Sequence, residues 1–135
     1  VYPADLHDRT RARWYEELGG SKVAELAAGI FFQRFMRPMV LKEEADEALV
    51  DSLINEKLPP MLDYLESQVP ADGFLFGDLG VADLALVAPF VNAGYAGYKI
   101  DPERWPKFAA FAGRVTGHEV VAPLLEAEAR MLGLS

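Results

Sequence analysis

The run from residue 74 to residue 86 constrains the fold most, because it begins a helix whose only charged side chain is Asp83. Gly80 occupies the predicted N-cap position, and Asp83, three residues later, can accept a hydrogen bond from the Gly80 backbone N–H. Its carboxylate also interacts favourably with the positive end of the helix dipole. Leu79 and Leu84 fit the two positions of a hydrophobic staple. A nearly uncharged helix that starts inside a core must satisfy its first N–H groups internally. We therefore expect a central, buried helix, with Gly80 and Asp83 in structural roles.

Helical periodicity dominates the rest of the chain, and no stretch alternates cleanly as a strand does. We expect helices over about residues 5–37, 43–68, 81–94, 102 or 105 to 116, and 121–132. Pro38 should stop the first helix, and residues 23–36 should be well buried because they are apolar almost all round. Gly19-Gly20 predicts a bend or a close approach of another backbone, and Pro59-Pro60 predicts a kink or a split. The sequence thus predicts an all-α fold, an orthogonal or up-down bundle of about five to six helices in one domain over residues 1–135.

Composition excludes several classes of function. The formal net charge is −8, from 21 acidic against 13 basic residues, which argues against nucleic acid and against anionic membrane surfaces. The chain has no cysteine, so thiolate chemistry and disulfides are excluded, and no apolar run approaches the ~18 residues of a membrane-spanning helix. His7 and His118 lie far apart without acids at ligand spacing, so no metal site is predicted. With no signal-peptide pattern at the start, a cytoplasmic location is the expectation.

The run from residue 74 to residue 86 resembles the N-capping box and staple that open the central helix of glutathione-transferase C-terminal domains. The family usually has Ser or Thr at the N-cap, so Gly80 departs from it by lacking a hydroxyl. Four other segments resemble the family in the same order along the chain. They correspond to the end of the interdomain linker with the start of the first C-domain helix (residues 2–14), the second helix (58–66), the end of the central helix with its exit loop (88–98), and the start of the next helix (105–108).

The resemblance implies the C-terminal domain of a bacterial-type glutathione transferase, with residues 1–4 as the end of the linker. In the family, an N-terminal thioredoxin-like domain binds glutathione and carries the Ser, Tyr or Cys that stabilises its thiolate. That domain is absent from this chain, which is either one domain of a longer protein or a natural stand-alone relative. The mid-protein character of Val1-Tyr2-Pro3 favours the former. Alone, the chain is expected to be catalytically inactive and to contain no catalytic residue.

In the family, the C-terminal domain contributes an apolar pocket for the electrophilic substrate and part of the homodimer interface. Glutathione is then the co-substrate of the full-length protein. A protein-docking module of the same fold is the alternative from another class of function, and storage of apolar ligands is a third interpretation. The upstream sequence would discriminate between the enzyme and the docking module.

Val23, Ala27, Phe31 and Phe35 recur every four residues on the first helix and form one stripe. The resemblance assigns this half of the helix to the substrate pocket, and ordinary core packing is the alternative. Lys22 lies beside the stripe. It could meet a glutathione carboxylate or an acidic substrate, or it could be a solvated surface lysine.

Asn92 is a polar residue in an apolar run, and its side chain could face the pocket or cap a carbonyl near Gly94. Asp83 is predicted to be buried, and capping explains it without a catalytic role. The start of the first helix is crowded with charge, which indicates either a solvated face or a subunit interface. These residues are Arg9, Arg11, Arg13, Trp14, Glu16 and Glu17.

Overall fold

The computed structural model describes residues 3–133, and within that range the chain forms five continuous helices and no strand. Helix α1 comprises four segments, Leu6–Leu18, Gly19–Val23, Ala24–Phe31 and Phe32–Leu41. Helix α2 comprises three, Glu47–Ser52, Leu53–Lys57 and Leu58–Gln68. Helix α3 is Val81–Tyr95, α4 is Pro106–Thr116, and α5 is Val121–Met131. The predicted all-α fold is confirmed. Val1 and Tyr2, part of the predicted linker, lie outside the described residues.

Helix α1 begins where the sequence predicts but continues beyond the expected stop. Asp5 is the N-cap, and its carboxylate accepts a hydrogen bond of 3.0 Å from the Asp8 N–H. The expected end before Pro38 is wrong, because the helix continues to Leu41. Its last ten residues form π-helical turns, in which hydrogen bonds join residues five positions apart. Pro38 lies within these turns and removes only its own N–H donor. The helix ends at Lys42, which has a left-handed φ of 58°.

Gly19 lies where α1 crosses the central helix α3. A Cβ atom at Gly19 would collide with the carbonyl group of Ala85, whereas one at Gly20 would meet nothing within 4 Å. The predicted close approach of another backbone is therefore confirmed, and it depends on the first glycine alone. Because Gly19 has no Cβ atom, the backbones of α1 and α3 can approach each other closely at this point.

Helix α2 continues through its two prolines, so the predicted split does not occur. A π-helical turn over Leu53–Lys57 precedes the segment Leu58–Gln68, in which the prolines occupy the first turn, where a missing N–H costs least. The helix starts later than expected, at Glu47, because Asp46 is its N-cap and accepts a hydrogen bond of 3.1 Å from the Leu49 N–H.

Helix α3 lies at the centre of the core, as its lack of charge predicts. Leu86 is fully buried, and Phe90 packs edge-on against Phe108 of α4 with ring centroids 5.3 Å apart. Helix α4 is also attached to α2 by polar contacts. The Glu66 carboxylate accepts hydrogen bonds of 3.0 and 2.8 Å from the Lys107 and Phe108 N–H groups, and so caps α4 from a different helix.

Candidate functional site

The start of α3 is held by one buried carboxylate. Asp83, only 1% exposed, accepts hydrogen bonds of 2.8 Å from the Gly80 N–H and 2.9 Å from the Leu75 N–H. The bond to Gly80 is the one expected from the capping pattern, and the bond to Leu75 is additional. Gly80 has no side chain, so the reciprocal half of a capping box cannot form. We call Leu75, Gly80 and Asp83 the capped junction.

Burial and hydrogen bonding act on Asp83 in opposite directions. Burial raises the pKa of its carboxyl above the ordinary value of 3.8, and the backbone N–H groups of Leu75 and Gly80 reduce that rise. Both carboxylate oxygens already accept a backbone hydrogen bond. Capping therefore accounts for this acid, and nothing in the geometry assigns it to catalysis.

The apolar stripe on α1 divides into two halves. Val23 and Ala27 are fully buried, and core packing accounts for both side chains. Phe31 and Phe35 are only half-buried, and their rings stack with centroids 5.0 Å apart and planes 15° apart. Of the four residues in the stripe, only the two phenylalanines are partly exposed.

Tyr95, at the end of α3, completes a group that the sequence does not reveal. Its ring meets Phe31 edge-on with centroids 6.5 Å apart, and we call Phe31, Phe35 and Tyr95 the aromatic cluster. The Tyr95 hydroxyl oxygen is buried and has no hydrogen-bond partner in the described chain. Burial and, to a smaller degree, the Glu128 carboxylate raise the pKa of this phenol above its ordinary value of 10.0. The hydroxyl is therefore a protonated donor at neutral pH.

Asn92 lines a groove between α1 and α3. The groove has a volume of about 250 Å³, and its other walls are small residues that include Ala24, Ala28 and Ala88. No hydrogen bond joins the Asn92 side chain to another residue within 3–133, so the carbonyl cap near Gly94 is not formed. The side chain is free to meet a molecule in the groove, which keeps its predicted pocket role open.

Lys22 is exposed and lies apart from the aromatic cluster. It precedes Phe31 by nine residues, about 13 Å along a helix axis. Among the described residues it takes part in no ion pair. The geometry therefore gives Lys22 no shared site with the phenylalanines.

An exposed apolar surface adjoins the aromatic cluster on the last segment of α1. Phe32, Met39, Val40 and Leu41 are 45%, 62%, 57% and 49% exposed, respectively. The expectation that residues 23–36 are well buried is thus wrong from residue 31 onwards, where only Gln33 is buried. The Gln33 amide oxygen accepts a bond of 2.9 Å from the Asp46 N–H, so this flank of the helix contacts the α1–α2 loop. The opposite flank stays open.

Two arginines at the start of α1 contact other groups of the same chain. The Arg9 guanidinium donates to the carbonyls of Pro3 and Ala4, and Arg11 lies 5.4 Å from the ring centroid of Phe76. Trp14 remains 54% exposed and donates a hydrogen bond of 3.3 Å to the hydroxyl of Tyr64 on α2. An exposed aromatic pair thus spans α1 and α2, the two helices that the resemblance assigns to a subunit interface.

Between residues 3 and 133, no three His, Asp or Glu side chains lie close enough together to hold a metal ion. None of the helices in this range combines the length and the apolar character needed to cross a membrane. The sequence matches no protein-family model and none of the curated proteins compared with it.

Proposed function

We propose that the chain is the C-terminal helical domain of a glutathione-transferase-like enzyme. The capped junction is the observation that carries the proposal, because Asp83 accepts the Gly80 N–H bond at the start of a buried central helix. This is the local arrangement that the resemblance implies. The five-helix, all-α architecture is compatible with it.

In this proposal the domain binds the electrophilic substrate and does not activate glutathione. An apolar wall with a few polar groups is typical of a small-molecule pocket, and the groove between α1 and α3 has alanine walls and the polar side chain of Asn92. Lowering the pKa of the glutathione thiol requires a positive environment or a hydrogen-bond donor beside the sulfur. That task belongs to the N-terminal thioredoxin-like domain, with exposed Lys22 as a candidate contact to a glutathione carboxylate.

The proposed partners account for the two exposed apolar surfaces. The thioredoxin-like domain would lie against the open flank of α1 at Phe32 and Met39, because apolar surface of this kind is usually covered in a complete protein. A second copy of the enzyme would contact the Trp14–Tyr64 pair, consistent with a homodimer. The biological role would be conjugation of apolar electrophiles in the cytoplasm, a detoxification reaction.

A chimera tests this proposal. The chain alone, with excess glutathione and a generic aryl halide, should give no conjugation above the uncatalysed rate. Joined behind the thioredoxin-like domain of a bacterial glutathione transferase, it should support conjugation, and Phe35→Ala should lower kcat/KM about tenfold through lost apolar contact. Leu6→Ala, at the 74% exposed first residue of α1 and thus at the other end of the helix from Phe35, is the matched control and should have no effect. Activity of the isolated chain, or an inactive but folded chimera, would contradict the proposal.

A docking module without chemistry is the second candidate, and the exposed apolar residues from Phe32 to Leu41 favour it. In that case the chimera would remain inactive. Substitution of Met39 by Ser would instead weaken binding to a protein partner while leaving the fold intact.

A further inference from the structure

We propose that His118 is a pH-sensitive cap of α5. Its neutral imidazole holds the turn through which the chain enters this helix, and protonation of the imidazole releases that turn. The proposal does not depend on the proposed function, because it rests on contacts within the described chain alone.

His118 satisfies three consecutive N–H groups at the start of α5. Its carbonyl oxygen accepts hydrogen bonds of 2.9 Å from the Val121 and Ala122 N–H groups, and its Nδ1 atom accepts one of 3.1 Å from the Val120 N–H. We call residues 118–120 the entry turn. Side-chain acceptors at the start of a helix are usually the oxygens of Ser, Thr, Asp or Asn. In the entry turn, an imidazole nitrogen performs the same task.

The bond to Nδ1 exists only while that nitrogen carries no proton. A neutral imidazole has one donor and one acceptor nitrogen, so Nδ1 accepts when the proton is on Nε2. An imidazolium has N–H groups on both nitrogens and accepts nothing. Its positive charge would also face the positive end of the α5 dipole. Histidine ordinarily changes charge between about pH 5 and pH 8, a range in which a hydroxyl cap does not change. Mild acid therefore removes this cap.

Helix α5 depends on its first turn for attachment. Within Val121–Met131, Val121 is the one buried residue, whereas Leu124 and Met131 are 66% and 88% exposed. A cavity of about 60 Å³ lies between α5 and the helices α3 and α4, and Val121 and Leu125 line its α5 side. Because the rest of α5 buries little apolar surface, a looser entry turn weakens the contact of the helix with the core.

The other contacts of His118 make the expected effect local. Its ring meets the ring of Phe74 edge-on, with centroids 5.9 Å apart and planes 68° apart. Helix α4 ends at Thr116, two residues before His118. A positive charge beyond the end of a helix interacts favourably with its dipole. Protonation should therefore loosen the start of α5 and leave the last turn of α4 in place.

No charged neighbour replaces the lost hydrogen bond. The ionisable residues closest in sequence on the elements around His118 are Asp72 and Asp83, Arg114 of α4, and Glu119 and Glu126 at the start of α5. None of the acids in residues 3–133 forms an ion pair with His118. The Arg114 guanidinium donates bonds of 3.0 Å to the Pro70 and Gly73 carbonyls, and Asp83 accepts the Leu75 N–H.

Amide hydrogen exchange of the chain at about pH 7.5 and about pH 5 tests the proposal, after correction for the intrinsic effect of pH on exchange. We expect the protection of the Val120, Val121 and Ala122 amides to fall about fivefold in acid, the effect of one lost cap. The Gly117 amide, which donates to the Gly113 carbonyl in the last turn of α4, should lose no protection.

The two histidines supply matched variants. His118→Asn retains a side-chain acceptor that does not titrate, so it should keep the protection at pH 7.5 and abolish the fall in acid. His118→Ala should lower the protection of the entry turn at both pH values. His7→Asn, at an exposed position on α1, removes the other imidazole and should leave the fall unchanged.

Three results would overturn the proposal. The first is equal protection of the Val120–Ala122 amides at the two pH values. The second is a fall that persists in His118→Asn, which would assign the titration to another group. The third is an equal fall at Gly117, which would indicate general acid destabilisation and not release of one cap. The assay contains no glutathione and no electrophile, so its outcome is separate from that of the chimera.

Discussion

The capped junction and the aromatic cluster lie near opposite ends of the central helix, and they treat buried polar groups in opposite ways. At the start of α3, the Asp83 carboxylate accepts two backbone hydrogen bonds inside the core. At its end, the Tyr95 hydroxyl is buried without a partner, beside two half-exposed phenylalanines. A satisfied buried network stabilises the fold, whereas a buried donor without a partner costs stability. The two ends of the helix therefore contribute differently to stability.

The largest expected effect is on the capped junction. Asp83→Ala removes the acceptor for two partly buried N–H groups, those of Gly80 and Leu75, and should lower the free energy of unfolding by about 3 kcal/mol. Asp78→Ala, at an exposed position in the same run, is the control and should change it by less than about 0.5 kcal/mol. Urea denaturation followed by circular dichroism measures both. Equal losses of stability in the two variants would show that the capped junction contributes no more to stability than an exposed acid does.

Gly19 and Gly20 lie where α1 crosses α3, and substitutions at these two glycines should change the stability of the chain in opposite directions. Gly19→Ala places a methyl group against the Ala85 carbonyl and should cost about 2 kcal/mol through the forced separation of the helices. Gly20→Ala meets open space and should stabilise the chain by up to about 1 kcal/mol, because alanine favours a helix. Thermal denaturation of the two variants should shift in opposite directions. A shift in the same direction would mean that the close crossing is relaxed in solution.

At the aromatic end, stability should barely depend on the exposed side chains. Phe32→Ser should change the free energy of unfolding by less than about 1 kcal/mol, since the residue is already 45% exposed. It should nevertheless weaken docking of the thioredoxin-like domain, which the proposed function places on that surface. A loss of stability comparable with that of Asp83→Ala would show that this end is part of the core.

The smallest effect concerns pH. Burial raises the pKa of Asp83 above 3.8, so the folded chain retains a proton that the unfolded chain releases. This contribution to stability is fully present below pH 3.8 and is lost as the pH rises through the raised pKa of the folded state. The free energy of unfolding of the unmodified chain minus that of Asp83→Asn should therefore be more positive near pH 4 than at pH 7. Denaturation at the two pH values measures it, and a difference that grows towards pH 7 would contradict the direction of the pKa change.

Local patterns were sufficient for the helices and for the first hydrogen bond of the capped junction. The Asp5 cap and the Gly80–Asp83 contact both depend on residues within a few positions of one another. The stop at Pro38 was predicted wrongly, because π-helical turns accommodate a proline that regular α-helical geometry would not. The match of apolar residues to burial also failed beyond residue 31, where Phe32, Met39, Val40 and Leu41 are exposed.

The sequence by itself determined the all-α fold, the central helix and the capping acid, because hydrophobic periodicity and capping act within a few turns of one chain segment. Only the tertiary structure decided which half of the apolar stripe is core and which is surface, since Val23 and Phe31 differ in what packs over them and not in their periodicity. It also decided that Tyr95 meets Phe31 and that Glu66 caps α4. These contacts join residues more than forty positions apart, and their geometry follows from how the helices cross.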